Sequence, residues 1–292
     1  LSPRAARAAR RCVEAFAPDV VHLHEPFAPL IGWAILGRHA APAVATFHRA
    51  GGGPAITLTR PLLRYLARGV DVAAAVSAPA VVTARAGSGL DAVELFNGFE
   101  VERFTDVARE PHDGVEVLFL GRLEARKGAD TAISAVRAHN AGSGAPWRLV
   151  VAGDGPERAR LVALAAGDPR VDFIGAVDDK AKRRWLRRAD VVVAPSTHGE
   201  SFGLVLLEAM ASETPVVASD IEGYRDAARG HATLAPARDA PAWTRAIDAA
   251  LATSSADLDA ASAHARGWSM AALMDHYSDL YARARERFAT TR

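Results

Sequence analysis

In the stretch THGESFGLVLLEAMAS (residues 197–212), Glu200 lies in a polar turn containing glycine and Glu208 lies eight residues later, inside an apolar run with helical character. Core packing alone needs neither carboxylate. Between them Ser201, Phe202 and Gly203 open the helix. A helix start offers unpaired N–H groups and partial positive charge, which suit a phosphate. Gly203 lets a ligand approach the backbone closely. One ligand would then span the segment, with hydroxyls near Glu200, phosphates at the helix start and a ribose near Glu208. The competing reading is a helix cap followed by a solvated glutamate.

FLGRLEARKG (119–128) supplies cations. Gly121 and Arg122 end an apolar run, and Lys127 and Gly128 precede a helical pattern. Two or three cations at the carboxyl end of a strand neutralise a diphosphate. Lys127 stands out because the chain has only three lysines, at 127, 180 and 182, against 32 arginines. A solvated basic loop is the alternative. VVAGDGPE (150–157) places Gly-x-Gly after an apolar run, but Arg158 stands where GxGxxG needs its last glycine, which argues against a nicotinamide site. In GAVDDKAKRRWLRRAD (175–190), Val177 would sit against a base, with Asp178, Asp179 and Lys182 near its edge; from Lys180 onward a charged surface helix competes with that reading. In ATFHR (45–49), read with HLHEP (22–26), His48 ends a strand and is either structural or catalytic. Arg4, Arg7, Arg10 and Arg11 recur at helical spacing in PRAARAARRCVEAF (3–16). Such a basic amphipathic helix lies on an anionic lipid surface or is simply solvated.

The elements that must position these residues follow from periodicity. Short apolar runs at 19–24, 43–48, 71–77, 92–98, 115–121, 147–153, 171–175, 190–196 and 215–220 read as strands. Helical patterns near 27–39, 58–68 and 78–88 separate the early ones, and a long helix closes the chain over 268–288. Strands alternating with helices predict parallel sheets of βαβ units, covered on both faces. The polar stretch 104–114 is the predicted linker. It divides the chain into an α/β lobe over 1–105, a second over 106–270 and a terminal helix over 271–292. Ligands of open parallel sheets sit outside the carboxyl ends of strands, where each polar group above falls.

Composition narrows the classes. The 292 residues are 50% hydrophobic, and 35 basic residues face 34 acidic ones, so a general nucleic-acid binder is not expected. The single cysteine, Cys12, makes no internal disulfide and no cysteine-based zinc site. No apolar run of about 18 residues predicts a membrane-spanning helix. The chain begins at Leu1 with no signal-peptide pattern, which reads as an incomplete start. DLD (257–259) lies in a late Ala/Ser-rich stretch, not at a strand end, so no essential metal is predicted.

Taken in order, GRLEARKG, GDGPE, GESFGLVLLEAMAS and PVVASD resemble glycosyltransferase family 4, the retaining enzymes of GT-B architecture. In the first half VHLHEPFAP, VATFH and FNGFEVERF look like its phosphatidyl-myo-inositol mannosyltransferase branch. The resemblance covers about residues 3–285. It implies two Rossmann-like lobes with parallel sheets and a cleft between them, and a last helix crossing back to the first lobe. It implies a hexosyltransferase that takes mannose from GDP-mannose to a lipid-linked acceptor such as phosphatidyl-myo-inositol, with no essential cofactor and no nucleic-acid partner. Arg122 and Lys127, after Gly121, would bind the donor diphosphate. Glu200 would hold the sugar hydroxyls, and Glu208 the ribose. Phe202, Gly203 and Leu204, following Ser201, would present backbone amides, and Val177 and Lys182 would lie near the base. His48 would line the acceptor side. The basic helix 3–16 would place a bacterial cytoplasmic enzyme on the inner face of the cell membrane. The family's opening strand and Gly-rich loop do not occur here, which implies an incomplete first lobe. FHRAGGG carries glycines where the branch has hydroxyls and a basic residue. A nucleotide-sugar binding module without turnover, or a GT-B epimerase or hydrolase, would share the same donor-site residues.

Overall fold

The computed structural model describes residues 2–290 except Pro29, Arg38, His39, Ala50, Gly52, Gly53, Ser143 and Ser201, and gives only the backbone of residues 54–57. The chain forms two compact units, residues 1–98 with 270–292, and residues 99–269.

The first unit begins with α1 (Pro3–Phe16), capped by Ser2 with Pro3 in its first turn. A proline is tolerated there because that N–H has no helical partner. Four strands follow, β1 (Val21–His24), β2 (Ala43–Phe47), β3 (Val72–Ala75) and β4 (Ala92–Glu94), alternating with α2 (Ile31–Leu36), α3 (Pro54–Ala67) and α4 (Ala78–Ser88). They make one parallel sheet in the order β1-β2-β3-β4. The period of two in β2 divides the core between the sheet's faces. Ala43, Ala45 and Phe47 pack with Leu36, Leu66 and Ala84, while Val44 packs on the opposite side. Ser77 caps α4 and Gly89 ends it in the left-handed conformation.

The second unit holds α5 (Glu102–Thr105), β5 (Val115–Leu120), α6 (Ala129–Asn140), β6 (Trp147–Ala152), α7 (Arg158–Ala165), β7 (Val171–Gly175), α8 (Asp179–Arg188), β8 (Val191–Ala194), α9 (Leu204–Ala211), β9 (Val216–Ser219), α10 (Glu222–Ala228), β10 (Thr233–Ala235), α11 (Ala240–Leu251) and α12 (Ser255–Arg266). Its six strands are all parallel, in the order β10-β9-β8-β5-β6-β7. Alternate residues of the central strands serve opposite faces. Val117, Phe119, Val191 and Val193 pack with residues of α6, α7 and α11. Leu118 and Val192 pack with residues of α8, α9, α10 and α12. From β5 the chain builds outward through β6 and β7, then returns to the other side of β5 with β8. The order therefore reverses between β5 and β8, where an open α/β sheet forms a crevice.

The last helix, α13 (Met270–Thr290), belongs to the first unit, where Leu273, Tyr277 and Leu280 share a core with Val44, Val72 and Ala74.

The division between units falls at Gly98/Phe99, not at 105/106, and at Ser269/Met270, not at 270/271. Phe99, Val101 and Phe104 are buried with Leu118, Val150 and Leu207, and the Phe99 N–H donates to Trp268 O (3.2 Å). Polar composition marked 104–114 as a linker, but the apolar anchors just before it tie the chain to the second core. Among the described residues the pattern over 27–39 yields a helix over Ile31–Leu36, and β10 was not foreseen. The DLD acids lie inside α12.

Candidate donor site

The loops that follow β5 and β8 meet at the reversal of strand order. After β5 the chain turns through Gly121 and Arg122, makes a 3-10 turn over Ala125–Lys127, and enters α6 from Gly128. Gly128 is left-handed (φ 69°), and a Cβ there would stand 2.0 Å from Pro195 O, so the two loops touch through the one residue type that fits. The Thr197 N–H donates to Arg126 O (2.8 Å) and joins the loops again.

Glu200 is the hub. Its Oε1 accepts from Lys127 Nζ (2.7 Å), Arg126 Nη1 (2.8 Å) and Ser196 Oγ (3.2 Å). Glu124 bridges the remaining cation, pairing with Arg126 Nε (3.0 Å) and Arg122 Nη2 (3.1 Å). Three cations and two carboxylates thus alternate as Arg122–Glu124–Arg126–Glu200–Lys127. Exposure separates them: Arg122 is 75% exposed, Lys127 21% and Glu200 12%. Ser196 is buried, and its Oγ accepts from the Tyr224 hydroxyl (2.9 Å). Burial, reinforced by the charge of Glu200, pushes the Tyr224 hydroxyl up, so it stays protonated and donates.

Gly203 starts α9 with φ 65°, and no side chain caps the helix. The Cα hydrogen of Gly203 faces Tyr224 and Ala227; a Cβ would stand 3.0 Å from an atom of each. Phe202 meets Trp268 edge-on at 5.2 Å, and Leu204 is 37% exposed. Ser201 lies outside the described residues.

Glu208 is buried inside α9, not solvated, and its Oε1 accepts from Lys182 Nζ (2.8 Å). Burial raises its pKa, Lys182 opposes that rise, and Asp179 adds to it. Lys182 also lies over the Phe104 ring (5.5 Å). Val177 is partly buried against the same core, and Asp178 caps α8 by accepting from the Ala181 N–H (2.7 Å). Lys182 is therefore the counter-ion of Glu208 in this structure, and Asp178 is a cap.

The turn at Gly153–Gly155 is bound to the Gly121 loop. Leu123 N–H donates to Asp154 O (2.9 Å) and Glu157 N–H to Leu123 O (3.0 Å). The Gly-x-Gly after β6 supports the cation loop.

In the first unit His48 follows β2. Its Nε2 lies 2.8 Å from His24 Nδ1, and Glu25 Oε1 accepts from the backbone N–H groups of His48 (2.6 Å) and Arg49 (2.8 Å). His22 lies next along β1, between Thr46 Oγ1 (2.8 Å) and Tyr281 Oη (2.9 Å). Burial, then the neighbouring histidines, bring His22 down to about 4. His24 is lowered too, by burial and then by His48. On α1, Arg4, Arg7 and Arg11 are exposed, and Arg10 pairs with Glu14 (3.5 Å).

Arg126, Glu124, Ser196 and Tyr224 were not singled out by the sequence. Arg126 carried a signal, being a cation beside Lys127. Ser196 stood at a strand end. Tyr224 had no local sign. Among the described residues, no three His, Cys, Asp or Glu side chains gather as metal ligands, and no helix is long and apolar enough to cross a membrane.

Residues 1–103 match the family described as Glycosyltransferase Family 4, and residues 114–253 the one described as Glycosyl transferases group 1. The chain belongs to glycosyltransferase family 4. This family 4 chain is 40% identical over 215 residues to phosphatidyl-myo-inositol mannosyltransferase of Mycobacterium tuberculosis, covering 71% of the chain and 56% of that protein. It spans between half and two thirds of the length of the curated relatives it matches. A Rickettsia africae glycosyltransferase superposes with a TM-score of 0.78 at 17% identity, over 96% of this chain and 80% of that one. An Anabaena protein solved with UDP and glucose superposes at 0.75 and 17% identity, over 94% and 81%. The two parallel-sheet units are those of the GT-B fold.

Proposed function

We propose that this chain is the donor-binding part, with a portion of the acceptor side, of a retaining hexosyltransferase that moves mannose from GDP-mannose to a lipid-linked acceptor such as phosphatidyl-myo-inositol. The observation that carries the reading is the meeting of Arg126 and Lys127 with Glu200 where the strand order reverses, beside the uncapped start of α9. A diphosphate at this point would draw Lys127 and Arg122, and the N–H groups from Phe202 to Leu204 would face its oxygens. Glu200, relieved of Lys127, would accept from sugar hydroxyls. Glu208 would hold the ribose, and Val177 and Lys182 would border the base.

The chemistry needs little else. When the bond from the sugar's anomeric carbon to the diphosphate oxygen breaks, negative charge grows on the diphosphate. Prearranged cations and helix N–H groups stabilise that charge without reorganising, and one such donor is worth about 3–4 kcal/mol. The acceptor hydroxyl attacks the same face, forms the new bond to the anomeric carbon, and passes its proton to the departing phosphate oxygen. His48 would lie on the acceptor side. This scheme uses no protein nucleophile and no metal. The basic helix α1 would attract the chain to the inner face of a bacterial cell membrane, next to a lipid-borne acceptor.

Calorimetry with GDP-mannose, UDP-glucose, UDP-GlcNAc and ADP-glucose tests the reading. Tightest binding of GDP-mannose is expected. Preference for another donor replaces the base and sugar, and no nucleotide binding removes the donor site. A second reading follows from the chain spanning 56% of its mycobacterial relative: a module that binds the donor without turning it over. GDP-mannose binding with no transfer by this chain, and transfer by a longer one, would favour it.

A further inference from the structure

We propose that the outer face of α3 and α4 is a docking surface for an anionic phospholipid bilayer. At 100° per residue the described side chains of α3 fall into three sectors. Leu63, Leu66 and Ala67 are buried in the first unit. Arg60 and Arg64 lie four residues apart along one flank, and Arg68 follows in the turn just past the helix, all exposed. Leu58, Leu62 and Tyr65 occupy the remaining face, at 84%, 39% and 59% exposure. α3 therefore has a second apolar stripe that the core does not use. α4, packed beside it, adds Val82 at 67% exposure and Arg85. Arg60 and Arg64 line two adjoining hollows, one with Val82 and Arg85, the other with Tyr65 and Arg68.

The charge has one sign. Between Arg49 and Asp91 the only carboxylates are Asp71 and Asp91, against five arginines. Asp71 accepts from the Ala43 N–H (2.7 Å) at the start of the sheet, and Asp91 pairs with Arg85 (3.4 Å). Among the described residues no ion pair engages Arg60, Arg64 or Arg68; Arg68 lies 5.9 Å from the centre of the Tyr65 ring. A helix face built for water interleaves acids with its bases at i and i+4. A single exposed leucine is ordinary, but an apolar stripe flanked by a row of guanidinium groups is the pattern of a helix lying in a lipid interface. Its apolar side chains enter the headgroup boundary, its arginines reach the phosphates, and tyrosine suits the headgroup level. The contrast with α1 is in the apolar part. There the arginines accompany only one large exposed apolar side chain, Phe16, so α1 provides attraction with little insertion.

The purpose of docking, delivery to a lipid-borne acceptor, rests on the function proposed above. Docking itself is measured without turnover, so its failure leaves donor binding untouched, and loss of donor binding leaves docking intact.

The experiment is flotation of the chain with vesicles of phosphatidylcholine, alone or mixed with phosphatidylglycerol, at rising salt. Binding that requires phosphatidylglycerol and weakens with salt is expected. Arg60→Ala with Arg64→Ala should lower partition roughly tenfold or more. Leu58→Ser with Leu62→Ser should lower it at every salt concentration. Because all four side chains are exposed, the melting temperature should not move, and an unchanged melt is the control for folding. The proposal is overturned if either double variant binds like the parent, or if binding is lost only in Arg4→Ala with Arg7→Ala. It is equally overturned if the chain self-associates in sedimentation and the leucine variants abolish that association while leaving vesicle binding unchanged, since a second copy would then be the occupant.

Discussion

Lys127 Nζ stands 2.7 Å from Glu200 Oε1, across the point where the order of the six-stranded sheet reverses. The cation suited to a diphosphate and the carboxylate suited to sugar hydroxyls are thus each other's partner. Under the proposed function, the donor would exchange that pair for two new ones. Lys127→Ala removes a charge-assisted bond of about 1.5–3 kcal/mol, so GDP affinity should fall about 10- to 100-fold by calorimetry. Glu200→Gln should act differently. It frees Lys127 for the phosphates, so GDP should bind as well as before or better, while the advantage of GDP-mannose over GDP shrinks. Equal losses of both ligands in Glu200→Gln would show that the carboxylate only maintains the loop.

How far this site could be read in the sequence depends on the range of each interaction. Glu200, Lys127 and Gly203 were legible because each stands at a strand end or helix start, where residue type has a local meaning. Nine strands were legible for a similar reason, since buried parallel strands are continuous apolar runs. Thr233–Ala235 was not, because the run HATLAPA around it carries a single large apolar residue, Leu234. Pairings set by tertiary contact left no local trace. Nothing near Tyr224 says that its hydroxyl reaches Ser196, 28 positions away. Nothing near Lys182 says that α9 brings Glu208 within 2.8 Å of its Nζ. The join between units was misplaced because polar composition was more visible than the apolar anchors Phe99 and Phe104.

The Gly128 contact predicts a stability effect separate from ligand chemistry. In Gly128→Ala the new methyl group would meet Pro195 O at 2.0 Å in a left-handed backbone, so the loop carrying Glu200 must shift. Strain and displacement together should lower stability on the order of 2–4 kcal/mol in urea unfolding. Gly121→Ala is the control: its nearest neighbour would be 3.8 Å away, and its loss should stay under about 1 kcal/mol. Similar losses at both positions would mean that the loops do not pack as described.

Glu208 and Lys182 predict a pH dependence. Burial raises the pKa of Glu208 and Lys182 holds it back. In Lys182→Met the restraint goes, so the pKa rises further. A carboxyl whose folded pKa exceeds its unfolded value contributes stability at low pH that is lost as pH rises through the folded value. The variant should therefore lose stability relative to the parent as pH rises from the ordinary carboxylate range to neutrality and above. The loss should approach about 3 kcal/mol, the lower range for an uncompensated buried charge. Adding Glu208→Gln should recover most of it and flatten the profile. A variant whose deficit is the same at both ends of that range would exclude ionised Glu208 as the cause.

His22 and His24 titrate in the opposite sense. His22, with a hydroxyl on each ring nitrogen, is neutral in the fold and brought down to about 4 by burial and by His24 and His48. A depressed histidine contributes stability that is complete above the unfolded value of about 6.5 and lost as pH falls toward 4. Because His22 is only half-buried, solvent screens part of this, and the slope should be below one proton. His24 and His48 add a second constraint. Their 2.8 Å contact needs one nitrogen to donate and the other to accept, so both rings cannot be fully protonated while it persists. Nitrogen-15 NMR of the imidazoles should show His22 titrating near 4 and His24 below the ordinary value. In His24→Leu the His48 ring should lose its fixed tautomer. His24→Asn, which keeps a hydrogen-bonding atom near the Nδ1 position, should retain it. If the His48 ring holds the same tautomer in all three proteins, the imidazole contact does not fix it, and His24 serves only to fill the end of the strand.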